Sequence, residues 1–237
     1  MTRQPRPARL LALLVLAFLL AACGGDDAPA ASAPAAAENA AAPVAAQPAG
    51  AGVSLPSDPL AAIQQVLTNQ QAGGAYRTTT TIDSDGEPMV VTGEFIPPDR
   101  LRVVTDLGDV MQEMIFIGEQ GWMKAGDAWT ESPISAAQML GQFRTAIDEF
   151  STTATDVRFV GNELLNGQET AVYAYTLDMN KSTVTPMDLI SSAKLWVNTA
   201  TGLPVQQEIT GEAMGVMSTT TQVIEYDSSI TIEPPVQ

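Results

Sequence analysis

One residue in this chain joins a reactive side chain to an unusual position. Cys23 is the single cysteine among 237 residues, and it closes an unbroken apolar run from Leu10 to Ala22. A lone thiol at such a place suits covalent attachment rather than catalysis. Histidine is absent, which excludes Ser-His-Asp and Cys-His nucleophile systems and His-ligated zinc; one cysteine likewise excludes an intrachain disulfide or a four-cysteine cluster. Acid–base chemistry is left to 27 Asp and Glu residues. A glycosidase-like carboxylate pair is compatible with that composition, but nothing singles one out. The densest acidic group, Asp83, Asp85 and Glu87 in D-S-D-G-E, lacks the remaining ligands of an EF-hand loop, and Asp-Gly is what a hairpin tip demands. No glycine-rich phosphate loop or G-x-S-x-G elbow occurs, and no cofactor is implied. The net charge is −16, a sign that repels phosphate backbones and argues against a nucleic-acid partner.

The first 22 residues supply the context for Cys23. Arg3, Arg6 and Arg9 precede the apolar run, the arrangement of an export signal. Thirteen apolar residues from Leu10 to Ala22 are too few to span a bilayer, which takes roughly 20. Leu20-Ala21-Ala22-Cys23 resembles the bacterial lipobox, which implies cleavage before the cysteine and diacylglycerol on its sulfur. Two acyl chains give a stable membrane anchor where one is marginal. Residues 23–56 follow as a tether: between Ala28 and Ala49 there are 13 alanines and four prolines, and the prolines interrupt every helical run before it reaches a stable length. Removal of 1–22 also takes away three cations and leaves a more acidic chain.

The elements of a folded domain are expected over 57–237. Asp58 caps and Pro59 starts an amphipathic helix carrying Leu60, Ile63 and Leu67, which ends near Gly73-Gly74. The period then changes to that of strands: 75–83, 88–96, 100–107, 110–117, the short pair 122–125 and 129–131, then 156–165, 169–178, 193–198, 204–212 and 215–226. Asp85-Gly86, Gly108-Asp109 and Asn166-Gly167 read as turns. A second helix over 134–150 interrupts the series, with Ser132 as its cap and Pro133 at its first position, and a helical turn is expected at 186–190. The pattern predicts an α+β fold: a large curved antiparallel sheet of about ten strands, each pairing with its predecessor, an incomplete β-barrel whose concave face is covered by the helices.

Two segments point further. Asp109–Lys124 (DVMQEMIFIGEQGWMK) followed by Trp129, and Lys194–Val205 (KLWVNTATGLPV), resemble the strand and Gly-turn patterns of the LppX/LprA/LprG-type lipoproteins and of LolA/LolB-like lipoprotein-sorting proteins. The resemblance implies a half-barrel with an apolar interior for acyl chains, held at the extracytoplasmic face of the cell membrane. It implies a non-enzymatic protein that binds a lipid or other hydrophobic ligand for carriage or presentation, with the membrane reached through Cys23. The alternative keeps the fold but binds an envelope protein partner through its surface, as envelope-stress regulators with LolA-like domains do.

Candidate lining residues follow from side-chain type. Met111 and Met114 on a strand, and Met139, Leu140, Phe143 and Ile147 along one stripe of the second helix, suit either a cavity wall or an ordinary core, because thioether and branched chains adapt to both. Tyr173 and Tyr175, in a strand apolar on both faces, fit a pocket mouth or plain packing equally. Periodicity does not separate a hollow interior from a filled one.

Overall fold

The fold is described from a computed structural model, which covers residues 53–84, 87–106, 111–132, 134–183, 188–213 and 215–235, with backbone alone at 87, 125, 136, 140, 142–146 and 148. The lipobox, Cys23 and the tether up to residue 52 lie outside the described residues, as do Asp85-Gly86 and Gly108-Asp109.

The chain begins with helix α1 (Pro59–Ala72). Asp58 caps it as expected, its carboxylate accepting from the Ala61 amide at 2.8 Å, with Pro59 at the first position. Strands β1 (Tyr76–Ser84), β2 (Glu87–Ile96), β3 (Arg100–Asp106), β4 (Met111–Ile117), β5 (Gln120–Ala125) and β6 (Ala128–Glu131) form one antiparallel meander. Helix α2 (Ala136–Thr153) follows, then β7 (Ala154–Leu165), β8 (Gln168–Asp178), a 3-10 turn at Met179–Lys181, β9 (Ile190–Asn198), β10 (Pro204–Ala213) and β11 (Val216–Tyr226). The expected helical turn at 186–190 begins outside the described residues, which omit 184–187, and its last residue, Ile190, starts β9; a 3-10 turn that was not expected stands at 179–181.

All eleven strands form one antiparallel sheet in the order β6-β5-β4-β3-β2-β1-β11-β10-β9-β8-β7. The expectation that each strand pairs with its predecessor fails once. β7 does not pair β6; these two are the edges of the sheet, and β1 instead pairs β11 over nine positions, from Tyr76↔Tyr226 to Ser84↔Ser218. Two local meanders are thus joined at their outermost strands, and α2 carries the chain from one open edge to the other.

Helix α2 starts three residues later than its sequence suggests. The Ser132 amide donates to the Gly121 carbonyl at 2.8 Å, which ties Ser132 to β5, and its hydroxyl accepts from the Ile134 amide. Ser135 then caps, in a reciprocal box with Gln138. The box satisfies two end donors of the helix at once, more than a cap at Ser132 offers.

Register assigns the two faces of the sheet. Ile82, Val91, Val103 and Phe116 share one face with Met139 of α2; Tyr173, Tyr175, Ala193, Leu195 and Val197 share that same face with Ala62, Ile63 and Val66 of α1. This helix-covered face is the interior. The opposite face carries an ion ladder, Arg77–Glu94–Arg102–Glu113, with closest separations of 2.7, 3.4 and 2.7 Å. The tail after β11 also crosses the outer face, packing Ile230 and Ile232 with Ile115, Trp122 and Trp129. The Arg100 guanidinium donates to the Ile232 carbonyl at 2.7 Å and holds that tail in place.

Candidate ligand site on the concave face

The concave face has three parts. On β7–β9, an apolar cluster of Phe150, Ala154, Ala171, Tyr173, Tyr175, Leu195 and Val197 is filled by α1. On β1–β4, a second cluster of Ile82, Val91, Leu101, Val103 and Phe116 receives Met139, with Met89, Phe95, Met114 and Ile134 at its margin. Helix α2 joins them, Met139 near its start lying in one cluster and Phe150 near its end in the other. Eleven residues of helix, about 16 Å, separate the two.

The inner face of β1, β11 and β10 also carries polar side chains. Thr80, Ser84, Ser218 and Thr220 are all buried on the concave face of β1 and β11. The Gln222 side-chain amide donates to Thr80 Oγ1 at 3.2 Å, and Gln207 of β10 donates to Tyr175 Oη at 2.6 Å. Tyr175 also meets Phe150 edge-on at 5.2 Å between ring centroids. Burial pushes the Tyr175 phenol up to about 12, the Gln207 donor working the other way. At one end of the face Tyr76, Phe95 and Tyr226 stack at 5.3 and 5.8 Å, and burial raises Tyr76 to about 12 and Tyr226 further in the same direction.

The structure distributes the sequence-derived candidates unevenly. Met114 and Met139 line the β1–β4 cluster. Tyr173 and Tyr175 are buried in the β7–β9 cluster, inside the face rather than at a mouth. Ile147 is half-buried on α2, and the side chains of Leu140 and Phe143 lie outside the described residues. Met111 is a correction: it is 68% exposed, because β4 alternates faces and its pairing with Asp106 puts it on the outer side with Glu113 and Ile115. Met217 is exposed on the outer face for the same reason, and the side chain of Trp196 donates to Glu163 there at 3.1 Å.

The inner hydroxyls and amides were missed by sequence reasoning. The runs Thr78–Thr81 and Thr219–Thr221 place threonine on both faces, so no period-two contrast marks the buried members. The outer members Thr81, Thr219 and Thr221 instead line an open groove of about 400 Å³ with Asp83 and Met217. Ser191 and Lys194 stand at the Ser-x-x-Lys spacing of some acyl-transfer enzymes. On strand β9 that spacing sends them to opposite faces, Ser191 buried and Lys194 exposed over Trp196. No metal-holding group of acidic side chains occurs among the described residues.

No protein-family model matches the chain, and no curated protein matches it. Solved structures do. The lipoprotein LppX of Mycobacterium tuberculosis aligns with a TM-score of 0.51 at 15% identity, over 75% of this chain and 100% of that one. This chain has the fold of LppX. LprF of Mycobacterium bovis aligns at 12% identity and a TM-score of 0.49, over 73% of this chain and 97% of that one; MucB of Pseudomonas aeruginosa, solved with MucA, aligns at 15% and 0.43, over 71% and 57%. The LppX-like sheet, open between β6 and β7 and bridged by α2, is the frame on which the concave face is built.

Proposed function

We propose that this chain is an exported, lipid-anchored, non-enzymatic protein that binds a hydrophobic ligand and carries or presents it at the extracytoplasmic face of the cell envelope. The observation that carries the reading is the concave face: two apolar clusters on an unclosed sheet, spanned by one helix that is not part of the sheet. Moving α2 off the face exposes apolar surface on both sides of it. Transfer of acyl chains from bilayer to that surface is driven by the same burial that packs the clusters. The apolar faces of Met114, Met139, Tyr173 and Tyr175 are the walls, with Leu140, Phe143 and Ile147 the α2 residues proposed to contact the ligand. Residues 1–22 are the export signal, Cys23 the lipidated first residue, and 23–56 the tether. No helix among the described residues is long and apolar enough to cross a membrane, so the proposed attachment rests on Cys23.

The test is native mass spectrometry of the full chain carrying Cys23→Ala, purified from envelope extracts, followed by organic extraction of any adduct. A stoichiometric adduct that extracts as a lipid supports the reading. A protein that stays bare after incubation with envelope lipids overturns it.

A second reading has its own observation. The edge strand β7 exposes Phe159, Val160 and Leu164, as suits an extended peptide added to the sheet. Capture of such a peptide by a ligand-free protein, lost on Leu164→Asp, supports that reading in place of the first.

A further inference from the structure

Across β1, β11, β10 and β9 the concave face narrows to very small side chains. One row across four strands reads Ser84, Ser218, Gly211 and Ser191, each the register partner of the next. Gly211 leaves room there for the Ser191 hydroxyl, since a Cβ at that position would stand 2.4 Å from Ser191 Oγ and displace it. The row forms a shallow floor between the two apolar clusters, and its serines are nevertheless buried. In the adjoining row, Thr220 pairs Ile82.

Two of these hydroxyls have no partner. Ser84 Oγ and Thr220 Oγ1 are both enclosed without a hydrogen bond, in residues 2% and 3% exposed. Burying a hydroxyl unpaired forfeits its bonds to water and gains nothing, and native proteins rarely leave two such groups side by side. Alanine and valine would fill the same space without that cost. An oxygen-bearing group from outside the chain would account for both.

We infer that Ser84 and Thr220, on the small-residue floor between the clusters, form a polar subsite that holds the neutral ester or hydroxyl group of an amphiphile whose chains lie along the apolar clusters. The inference deepens the proposed function and rests on it. Hydroxyls match a neutral oxygen group, donating to a carbonyl and accepting from an alcohol. A carboxylate or phosphate is a poorer match: among the described side chains the floor carries no cation. Arg77 and Arg102 are ion-paired on the outer face, Lys181 stands near Asp178 and Lys194 over Trp196.

The experiment compares the full chain carrying Cys23→Ala with the same chain carrying Ser84→Ala, Thr220→Val, or both. Binding is measured for three probes of equal chain length: monopalmitoylglycerol, hexadecane and palmitate. The wild-type face is expected to prefer monopalmitoylglycerol. The double substitution is expected to weaken that probe by about tenfold or more, the loss of a hydrogen-bonded group, while hexadecane binding stays put and the ligand-free Tm stays level or rises. The Tm readout separates a ligand subsite from a structural role, because removing an unpaired hydroxyl does not destabilise the empty protein. Unchanged monopalmitoylglycerol binding in all variants, a fall in the ligand-free Tm, or a preference for palmitate overturns the inference while leaving the hydrophobic-ligand reading standing. Failure of all three probes to bind the parent chain overturns that reading as well.

Discussion

Gln207→Leu is expected to destabilise this protein more than Tyr175→Phe, although both remove the same hydrogen bond. Gln207 Nε2 donates to Tyr175 Oη at 2.6 Å, and the tyrosine is 3% exposed whereas the glutamine is half-buried. Tyr175→Phe takes away a hydroxyl and leaves an amide that reaches solvent, a loss near the ordinary net value of about 1 kcal/mol. Gln207→Leu leaves a phenolic oxygen enclosed among Phe150, Ala193 and Leu195 with the donor gone, so the cost rises toward about 3 kcal/mol, the full desolvation of the group. The double substitution puts two apolar side chains in contact and orphans nothing; it should cost less than the two singles added together, with a coupling of about 1–2 kcal/mol. Urea unfolding of all four proteins measures the cycle, and for a domain of this size each kcal/mol moves Tm by about 2–4 °C. Losing the donor also drives the Tyr175 phenol higher still, visible as later appearance of tyrosinate absorbance in an alkaline titration. Strict additivity, or a Gln207→Leu no worse than Tyr175→Phe, would refute the view that the Tyr175 hydroxyl is closed to water.

Three further outcomes follow from the same packing. Burial raises Tyr76, Tyr175 and Tyr226 above the ordinary phenol value of 10.0; the unfolded chain ionises first, so stability is intact below pH 10 and falls as the pH climbs toward 12, by about 1.4 kcal/mol per pH unit for each tyrosine. A pH–Tm series flat to pH 12 would contradict this. Phe150→Ala removes the contact that seats the end of α2 beside Tyr175, and calorimetry should show a loss of about 3–5 kcal/mol together with stronger binding of a hydrophobic dye. Deleting residues 230–237 strips Ile230 and Ile232 from the outer face, at about 1.5–3 kcal/mol each, and should red-shift the fluorescence of Trp122 and Trp129; an unshifted spectrum would mean the tail covers nothing.

Local signals in this sequence translated well into structure. Asp58-Pro59 starts α1, and Asn166-Gly167 forms its turn with φ of 52° and 80°. Strand positions followed from composition, and so did an unclosed sheet. The join of β1 to β11 had no local signal, because pairing across nearly the whole domain depends on which strands are left without partners once the two meanders have formed. The start of α2 turned on competition between Ser132 and Ser135, decided by the bond from Ser132 to Gly121 in a neighbouring strand. Among the proposed lining residues, residue type selected Met114 and Met139, which lie on the helix-covered face, but also Met111, which does not, since methionine is apolar on either face and on β4 only strand parity separates Met111 from Met114. The polar centre was hidden by threonine, which is at home on both sides of a sheet.

The seam between β1 and β11 also sets the order of assembly. Each meander is built from contacts between neighbours in the chain and can form early, but the centre of the sheet is a contact such as Thr80 with Gln222, 142 residues apart. Loop-closure entropy for that contact must be met before it returns anything. A chain emerging from its amino end therefore waits with β1 exposed as a bare edge until its last strand is delivered. For that interval Tyr76–Ser84, a nine-residue strand rich in threonine, is the segment most open to pairing with another molecule. Any chain that stops short of β11 keeps β1 and β10 open for good, so loss of the final strand should make the half-barrel self-associate through those edges.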